Sequence, residues 1–252
     1  MINITNAISR IAMRWWTVAL LVAVWEIATV AGHLHSQIVP SPYTVARRLV
    51  SSPGIYGGPL GDTALTAGVG LVAGVAAGLF VACASWFAPL VAGVLTPLAV
   101  IVRSLPFVAL VPILALVLGY GTVSAVTICG VVCFFPTYVL VSSGLRQLPA
   151  GASAYFAVAG SSRWQRFHRL ALPAAATALM TSVRISAATS IAAALVAEFL
   201  MGTPGLAFLL ETSLNDLDVV GVWAASVVAV AAALIAFLIA SRLEDAVRNR
   251  WA

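Results

Sequence analysis

Between Thr63 and Ser85 the chain runs for 23 residues without one acidic or basic side chain, and several other stretches are nearly as uniform. An α-helix rising 1.5 Å per residue needs roughly 20 apolar residues to cross about 30 Å of hydrocarbon. Lipid offers no water to satisfy peptide N–H and C=O groups, so only helices and closed barrels span it. None of these runs alternates apolar and polar residues as a barrel strand does. The expected class is therefore all-α and polytopic. Composition agrees: 62% of the 252 residues are hydrophobic and 8% charged, and mean hydropathy is +1.07. One membrane domain over 1–252 leaves only short loops, with no room for a nucleotide-binding or catalytic domain of roughly a hundred residues.

Six crossings are expected, at about 15–31, 63–85, 89–118, 123–141, 174–197 and 219–240. The first opens on Trp15 and Trp16, and follows Arg10 and Arg14 with no convincing cleavage site after it, so it reads as a retained helix rather than a signal peptide. A connector rich in Pro and Gly follows, in which 44–51 can form one short helix at the interface or against the bundle. In the second crossing the spacings Gly70-x3-Gly74 and Gly74-x3-Gly78 predict a face that packs closely on a neighbouring helix. The third stretch is too long for one straight crossing. Pro97, Pro106 and Pro112 predict that it is bent or broken.

The charges are distributed by side. Arg10 and Arg14, the loop 142–172 with Arg146, Arg163, Arg166 and Arg169, and the tail with Arg242, Arg248 and Arg250 fall on one side of a six-crossing chain. The positive-inside rule makes that side cytoplasmic, with both termini on it. The stretch with Glu198, Glu211, Asp216 and Asp218 falls outside; the dissenting pair is Arg47 and Arg48. The net charge of +5 thus reports orientation rather than nucleic-acid binding. Cys83, Cys129 and Cys133 lie in apolar runs and read as small buried hydrophobes. The spacing His33-x-His35 is metal-like but has no Cys or acid beside it, so no metal site is expected. A phosphate-binding G-x4-G-K-[ST] loop needs a lysine, and the chain has none.

The loop 142–172 is the longest clearly polar segment, and its part from Gly151 to His168 fits a short helix, a glycine hinge at Gly160 and a second helical stretch. Its apolar helix either docks on a partner or folds back on the bundle. Gly160, Leu170 ten positions later, and Leu172-Pro173 resemble the Gly…Ile-x-Leu-Pro half of the EAA loop of permease subunits in bacterial ATP-binding-cassette importers. The resemblance continues in Pro40-Ser41-Pro42, Arg103-Ser104-Leu105-Pro106 with Pro112 and Gly119-Tyr120-Gly121, Phe134-Phe135-Pro136, Arg184, Ala197-Glu198 and Pro204-Gly205-Leu206. Together these are similar to the nitrate/sulfonate/taurine branch of type I importer permeases.

The resemblance implies a cell inner-membrane subunit that forms an alternating-access path with a second permease, the same chain or a relative. It also implies a cytosolic ATPase dimer that binds ATP and Mg, and an extracytoplasmic solute-binding protein. The EAA loop of that family is a coupling helix seated in a cleft of the ATPase. Carried over, Gly160, Leu170, Leu172 and Pro173 take the family positions, while Ala154, Tyr155 and Phe156 stand where Glu-Ala-Ala is common, and Thr177 where a second proline is frequent. Docking would then rest on Tyr155 and Phe156, or the subunit is the divergent half of a heterodimeric pore.

At 1.5 Å per residue Arg184 lies about 16 Å beyond Pro173, and Arg103 about 21 Å beyond Pro89. An arginine at the bilayer centre costs roughly 2.5–3.5 kcal/mol unless it faces a partner or a wet cavity. Both, with the Pro106 break, are candidates for an anion path; the alternative is that they cap carbonyls or pair with Glu26 or Glu198. Glu26 pairs internally or snorkels. Glu198 is expected to be a solvated helix-terminal acid. Two other classes remain open. An ion-driven secondary transporter would show inverted repeats, and an intramembrane enzyme or assembly factor would need paired reactive groups inside the spans.

Overall fold

The computed structural model describes residues 4–32, 38–104, 106–148 and 151–251, and these contain helices and turns but no strand. In chain order the helices are α1 (Ile4–Val30), α2 (Pro42–Ser51), α3 (Gly54–Phe87), α4 (Pro89–Ser104), α5 (Leu110–Leu118), α6 (Thr122–Arg146), α7 (Ala152–Val158), α8 (Arg163–Arg166), α9 (Leu172–Met201), α10 (Leu206–Asn215) and α11 (Val219–Trp251). A π turn (Phe167–Ala171) joins α8 to α9, and a 3-10 turn (Phe107–Ala109) precedes α5. Among the described residues four helices are long and apolar enough to cross a membrane: α3, α6, the continuous stretch Arg163–Met201, and Val219–Asn249 of α11. Shorter apolar helices, Ala19–Val30 and Phe107–Leu118, lie where the first and third crossings are expected.

The centre of the bundle is α3, α6 and α9. α3 and α6 run parallel, and α9 runs antiparallel to both. The glycine face predicted on α3 sits on α6: a Cβ added at Gly70 would overlap that of Cys129, one at Gly74 the Gly130 carbonyl, and one at Gly78 would lie 2.8 Å from the Phe134 carbonyl oxygen. Further along α6, Gly144 admits the backbone of Ala175 and the methyl of Ala178. The Cys129 and Cys133 thiols are buried there and point at the carbonyls of Ser190 and Ser186 on α9, at 3.7 and 3.8 Å. The face of α9 inside the bundle is made of small residues, among them Ser182, Ser186, Ser190, Ala193, Ala194 and Ala197. Small side chains let backbones approach, which is the main source of helix attraction where lipid tails are as apolar as leucine.

Elsewhere the helices depart from the expected bounds. α3 begins at Gly54 rather than 63, taking in Gly57, Gly58 and Pro59. Pro59 is the sixth residue of α3 and removes one bond of the helix, and this turn is held by Tyr56, which is buried with Val45, Ala224 and Ala225. The third stretch is broken as predicted, with Pro106 extended between α4 and the 3-10 turn. α11 continues past 240 to Trp251, so the arginines expected in a tail lie on a helix.

α2 begins at Pro42, capped by Ser41, whose hydroxyl accepts the Thr44 N–H at 3.2 Å. It lies against the start of α11. Arg48 of the dissenting pair donates to Asp218 at 2.8 Å. The Trp223 indole donates to the Ile38 carbonyl at 3.2 Å and its ring packs on Trp25. The close approach of α3 to α6 has a direct test. Gly74→Ala is expected to lower stability by about 1–3 kcal/mol through overpacking, whereas Gly68→Ala, where a Cβ meets nothing within 4 Å, should keep it or raise it by up to about 1 kcal/mol. Thermal unfolding of both purified variants in one detergent reads the difference.

Candidate functional site

The segment between α6 and α9 carries one helix that stands away from the bundle. α7 lies between Gly151 at φ +79° and Gly160 at φ +66°, left-handed positions that side chains disfavour and glycine adopts freely. Tyr155 is 72% exposed and Val158 91%, while Ala154 is exposed and Phe156 half-buried. Tyr155 and Phe156 meet edge to face with ring centroids 5.9 Å apart. The backbone N–H of Ser161 donates to the Phe156 carbonyl at 3.0 Å, and the Ser161 hydroxyl donates to the same oxygen, which closes the helix. Leu170 lies half-buried in the π turn, and Leu172 and Pro173 open α9. Pro173 is the second residue of α9, directly after the π turn that joins it to α8.

Immediately after Gly160 the chain is fixed again. Ser162 and Gln165 form a reciprocal capping box at the start of α8. From there Arg163 Nη2 donates to the Trp86 carbonyl oxygen at 2.9 Å, and its guanidinium lies 5.5 Å from the Trp86 ring centroid and 5.8 Å from that of Phe87. Trp164 stacks on Phe87 at 5.9 Å, and Phe167 contacts Trp86 at 5.2 Å and Phe87 at 4.8 Å. The segment is therefore moored to the last turn of α3.

The charges inside the bundle settle differently from the expected pairs. Arg184 on α9 binds Glu244 of α11 at 2.9 Å and lies 5.8 Å from the Phe237 ring centroid. Glu244 also accepts from Thr181 at 2.7 Å. Neither Glu26 nor Glu198 is its partner. Glu26 accepts the Tyr43 N–H at the start of α2, at 3.3 Å, where a carboxylate complements the helix dipole. Glu198 is not a solvated acid: it is 0% exposed. The Thr63 hydroxyl donates to Glu198 Oε2 at 2.9 Å and accepts the Leu206 N–H at 2.9 Å, while the Ala207 N–H donates to the same carboxylate oxygen at 3.3 Å. One carboxylate thus ties α3, α9 and the first turn of α10. Gly205, at φ +154°, presses against it, and a Cβ there would overlap the carboxyl group.

Arg103 lies in the last turn of α4 beside the Pro106 break, with its side chain outside the described residues, as is the pair His33 and His35. A groove of about 510 Å³ opens between α9, α10 and α11, lined by residues such as Leu195, Phe199, Leu210 and Ala229. Apart from Ser226 its lining is apolar, so it does not suit a charged solute. Among the described residues no group of three His, Cys, Asp or Glu side chains is placed to hold a metal ion.

A broken apolar helix, a projecting helix between α6 and α9 and a tight central trio are the main parts of the bundle. Residues 74–251 match the family model described as the binding-protein-dependent transport system inner membrane component. The chain belongs to this family. It is a multi-pass membrane subunit of an ATP-binding-cassette importer, and ATP is hydrolysed by partner subunits. It is 26% identical over 228 residues, 90% of each chain, to the formylaminopyrimidine transport permease protein ThiX of Halalkalibacterium halodurans. It is 24% identical over 195 residues, 76% of this chain and 70% of the other, to the putative aliphatic sulfonates transport permease protein SsuC of Bacillus subtilis. Its fold is similar to the MetNI methionine transporter in an inward-facing conformation, with TM-score 0.59 and 18% identity over 82% of this chain and 98% of that one.

Within this permease the structure brings Tyr155, Phe156 and Gly160 together on the projection, with Leu170, Leu172 and Pro173 at the base of α9. Arg184 is separate from them, engaged by Glu244. The contacts that sequence reasoning missed are long-range ones. Thr63 and Glu198 are 135 residues apart, and nothing local marks them as partners. The mooring left a partial signal: Trp164, Phe167 and His168 fall at i, i+3 and i+4, one face of a helix. Glu198→Ala is expected to strand the Thr63 hydroxyl and the Ala207 N–H. A stability loss of about 1–3 kcal/mol should follow, with faster hydrogen exchange at Leu206 and Ala207 than at amides in the middle of α6.

Proposed function

We propose that this permease carries a small anionic solute inward by alternating access, with α7 seated in a cleft of a cytosolic ATPase. The observation that carries the reading is the exposure of α7, whose Tyr155 and Val158 side chains point away from the bundle between two central helices. An aromatic face left uncovered on a small subunit is the anchor expected of a docking helix. Where the family commonly has a glutamate, Ala154, Tyr155 and Phe156 offer apolar packing instead, so the contact with the ATPase rests on ring burial more than on charge.

Orientation follows from the same contacts. The end of the bundle that carries α7 also carries Arg146, Arg163, Arg166 and Arg169, and Arg242 and Arg248 of α11. At the opposite end Arg48 pairs with Asp218, and Arg47 and Arg48 remain a pair outvoted by the clusters on the α7 side. This charge distribution supports a reading with both termini in the cytoplasm, and with Glu211, Asp216 and Asp218 on the side from which a solute-binding protein delivers its cargo. The pore is completed by a second permease, a copy of this chain or a relative.

For the solute, ThiX is named for a formylaminopyrimidine and SsuC for sulfonates, so the family alone leaves the choice wide. The anionic reading draws on the resemblance to the nitrate/sulfonate/taurine branch. Of the two candidate arginines, Arg184 already has a carboxylate partner. The anion path is therefore assigned to Arg103 beside Pro106, and Arg184 to holding α9 on α11.

Two measurements test this. The tagged native complex, extracted mildly and weighed intact by mass spectrometry, is expected to contain two ATPase chains and two permeases, and Tyr155→Ala with Phe156→Ala together should lose the ATPases while the permease still folds. ATPase binding that survives both substitutions would remove the docking role. In proteoliposomes of the full complex, uptake of a radiolabelled alkanesulfonate is expected to fall at least tenfold in Arg103→Ala, a loss of about 1.4 kcal/mol or more. Equal uptake by both would remove Arg103 from the path.

A further inference from the structure

We propose that Arg163 is a positioning residue that joins the projecting helix to the end of α3, so that a displacement of α7 moves α3, α6 and α9 as one body. The inference rests on the reading that α7 meets the ATPase, and it adds the route by which that contact reaches the membrane core. α7 has a left-handed glycine on each side, and across Gly160 the Ser161 N–H and hydroxyl both donate to the Phe156 carbonyl, which ties α7 to the segment that follows. The first rigid point beyond Gly160 is the capping box of Ser162 and Gln165. The next residues, Arg163 and Trp164, find their partners on α3 rather than on the helices they connect.

The joint is chemically specific. The last carbonyls of a helix have no partner within it and carry the negative end of its dipole. Arg163 donates to one of them, that of Trp86, at 2.9 Å, and spreads its guanidinium beside the Trp86 and Phe87 rings. Trp164 and Phe167 close the block from the other side. From this end the displacement has a stiff path. Gly70, Gly74 and Gly78 hold α3 on α6 without slack, and Thr63 binds Glu198 and the start of α10 at the far end. α9 is reached from the same segment through the π turn (Phe167–Ala171), a loosened hydrogen-bond pattern that takes up a change of register.

The test uses the whole complex with its ATPases, in a chain with Cys83→Ala so that the remaining thiols are buried. Spin labels on cysteines placed at Ala84 and Val158 report the joint, and a second pair at Tyr120 and Leu217 reports the far end. Distances are measured without nucleotide and after trapping with ATP and vanadate. In the otherwise native chain the Ala84–Val158 distance is expected to stay single and unchanged on trapping while the far-end distance shifts. In Arg163→Ala the first should broaden and the far-end shift be lost, with the ATPases still bound. Arg163→Lys, which keeps a donor at the helix end, should recover part of the shift. Should Arg163→Ala not assemble, Trp164→Leu, at a half-exposed ring, serves in its place. A narrow Ala84–Val158 distance with the far-end shift intact in the assembled variant would overturn the joint alone. Absence of ATPases from the native complex would sink the docking reading and the joint with it.

Discussion

In lipid an apolar helix gains nothing by exchanging hydrocarbon for another apolar helix, so the bundle depends on how closely backbones come together. Here that closeness is concentrated on one line, Gly70, Gly74 and Gly78 of α3 against α6, where none of the three positions has room for a methyl group. α9 follows, its buried alanines and serines packed against both α3 and α6. The broken segment α4–α5 does not share this packing. The contrast divides the subunit into a closely packed trio and neighbours that touch it less.

Polar groups do the work that apolar contacts cannot do at the ends of the trio. At one end the buried carboxylate of Glu198 collects Thr63 and the first amides of α10. At the other Arg163 satisfies a terminal carbonyl of α3. Between them Arg184 and Glu244 join α9 to α11 inside the bundle. The contacts of Arg163 and Arg184 are charge-assisted, the stronger class of hydrogen bond, while Glu198 joins its helices through neutral donors. A permease built mainly of Ala, Val, Leu and Gly thus uses its few charges as fasteners.

The class of fold, the glycine face, the break at Pro106 and the loop that carries α7 were all legible in the sequence because each is a local or periodic signal. Run length reports a crossing, a four-residue spacing reports a face, and a proline reports an interruption. Helix ends were less legible. α3 starts at Gly54 because Tyr56 finds a buried place against α2 and α11, and tertiary packing of that kind overrides the poor helix propensity of Gly57, Gly58 and Pro59. The partners of the charges were not legible. Glu198 looked like a surface acid because its burial is created by Thr63 and Gly205, and Arg184 found Glu244, which lies beyond the expected end of the last crossing.

The contact between Arg48 and Asp218 spans 170 residues of chain. During synthesis α2 emerges long before α11 exists, so its arginine stays without its native partner, and its Val45 face without Ala224 and Ala225, until the last helix has been inserted. The link from Glu26 to Tyr43 and the packing of Val45 near Tyr56 can form early. Final seating of the first connector is thereby a report that the whole subunit has been threaded, and a chain stopped short of α11 would present an unseated amphipathic helix to the membrane's quality-control proteases.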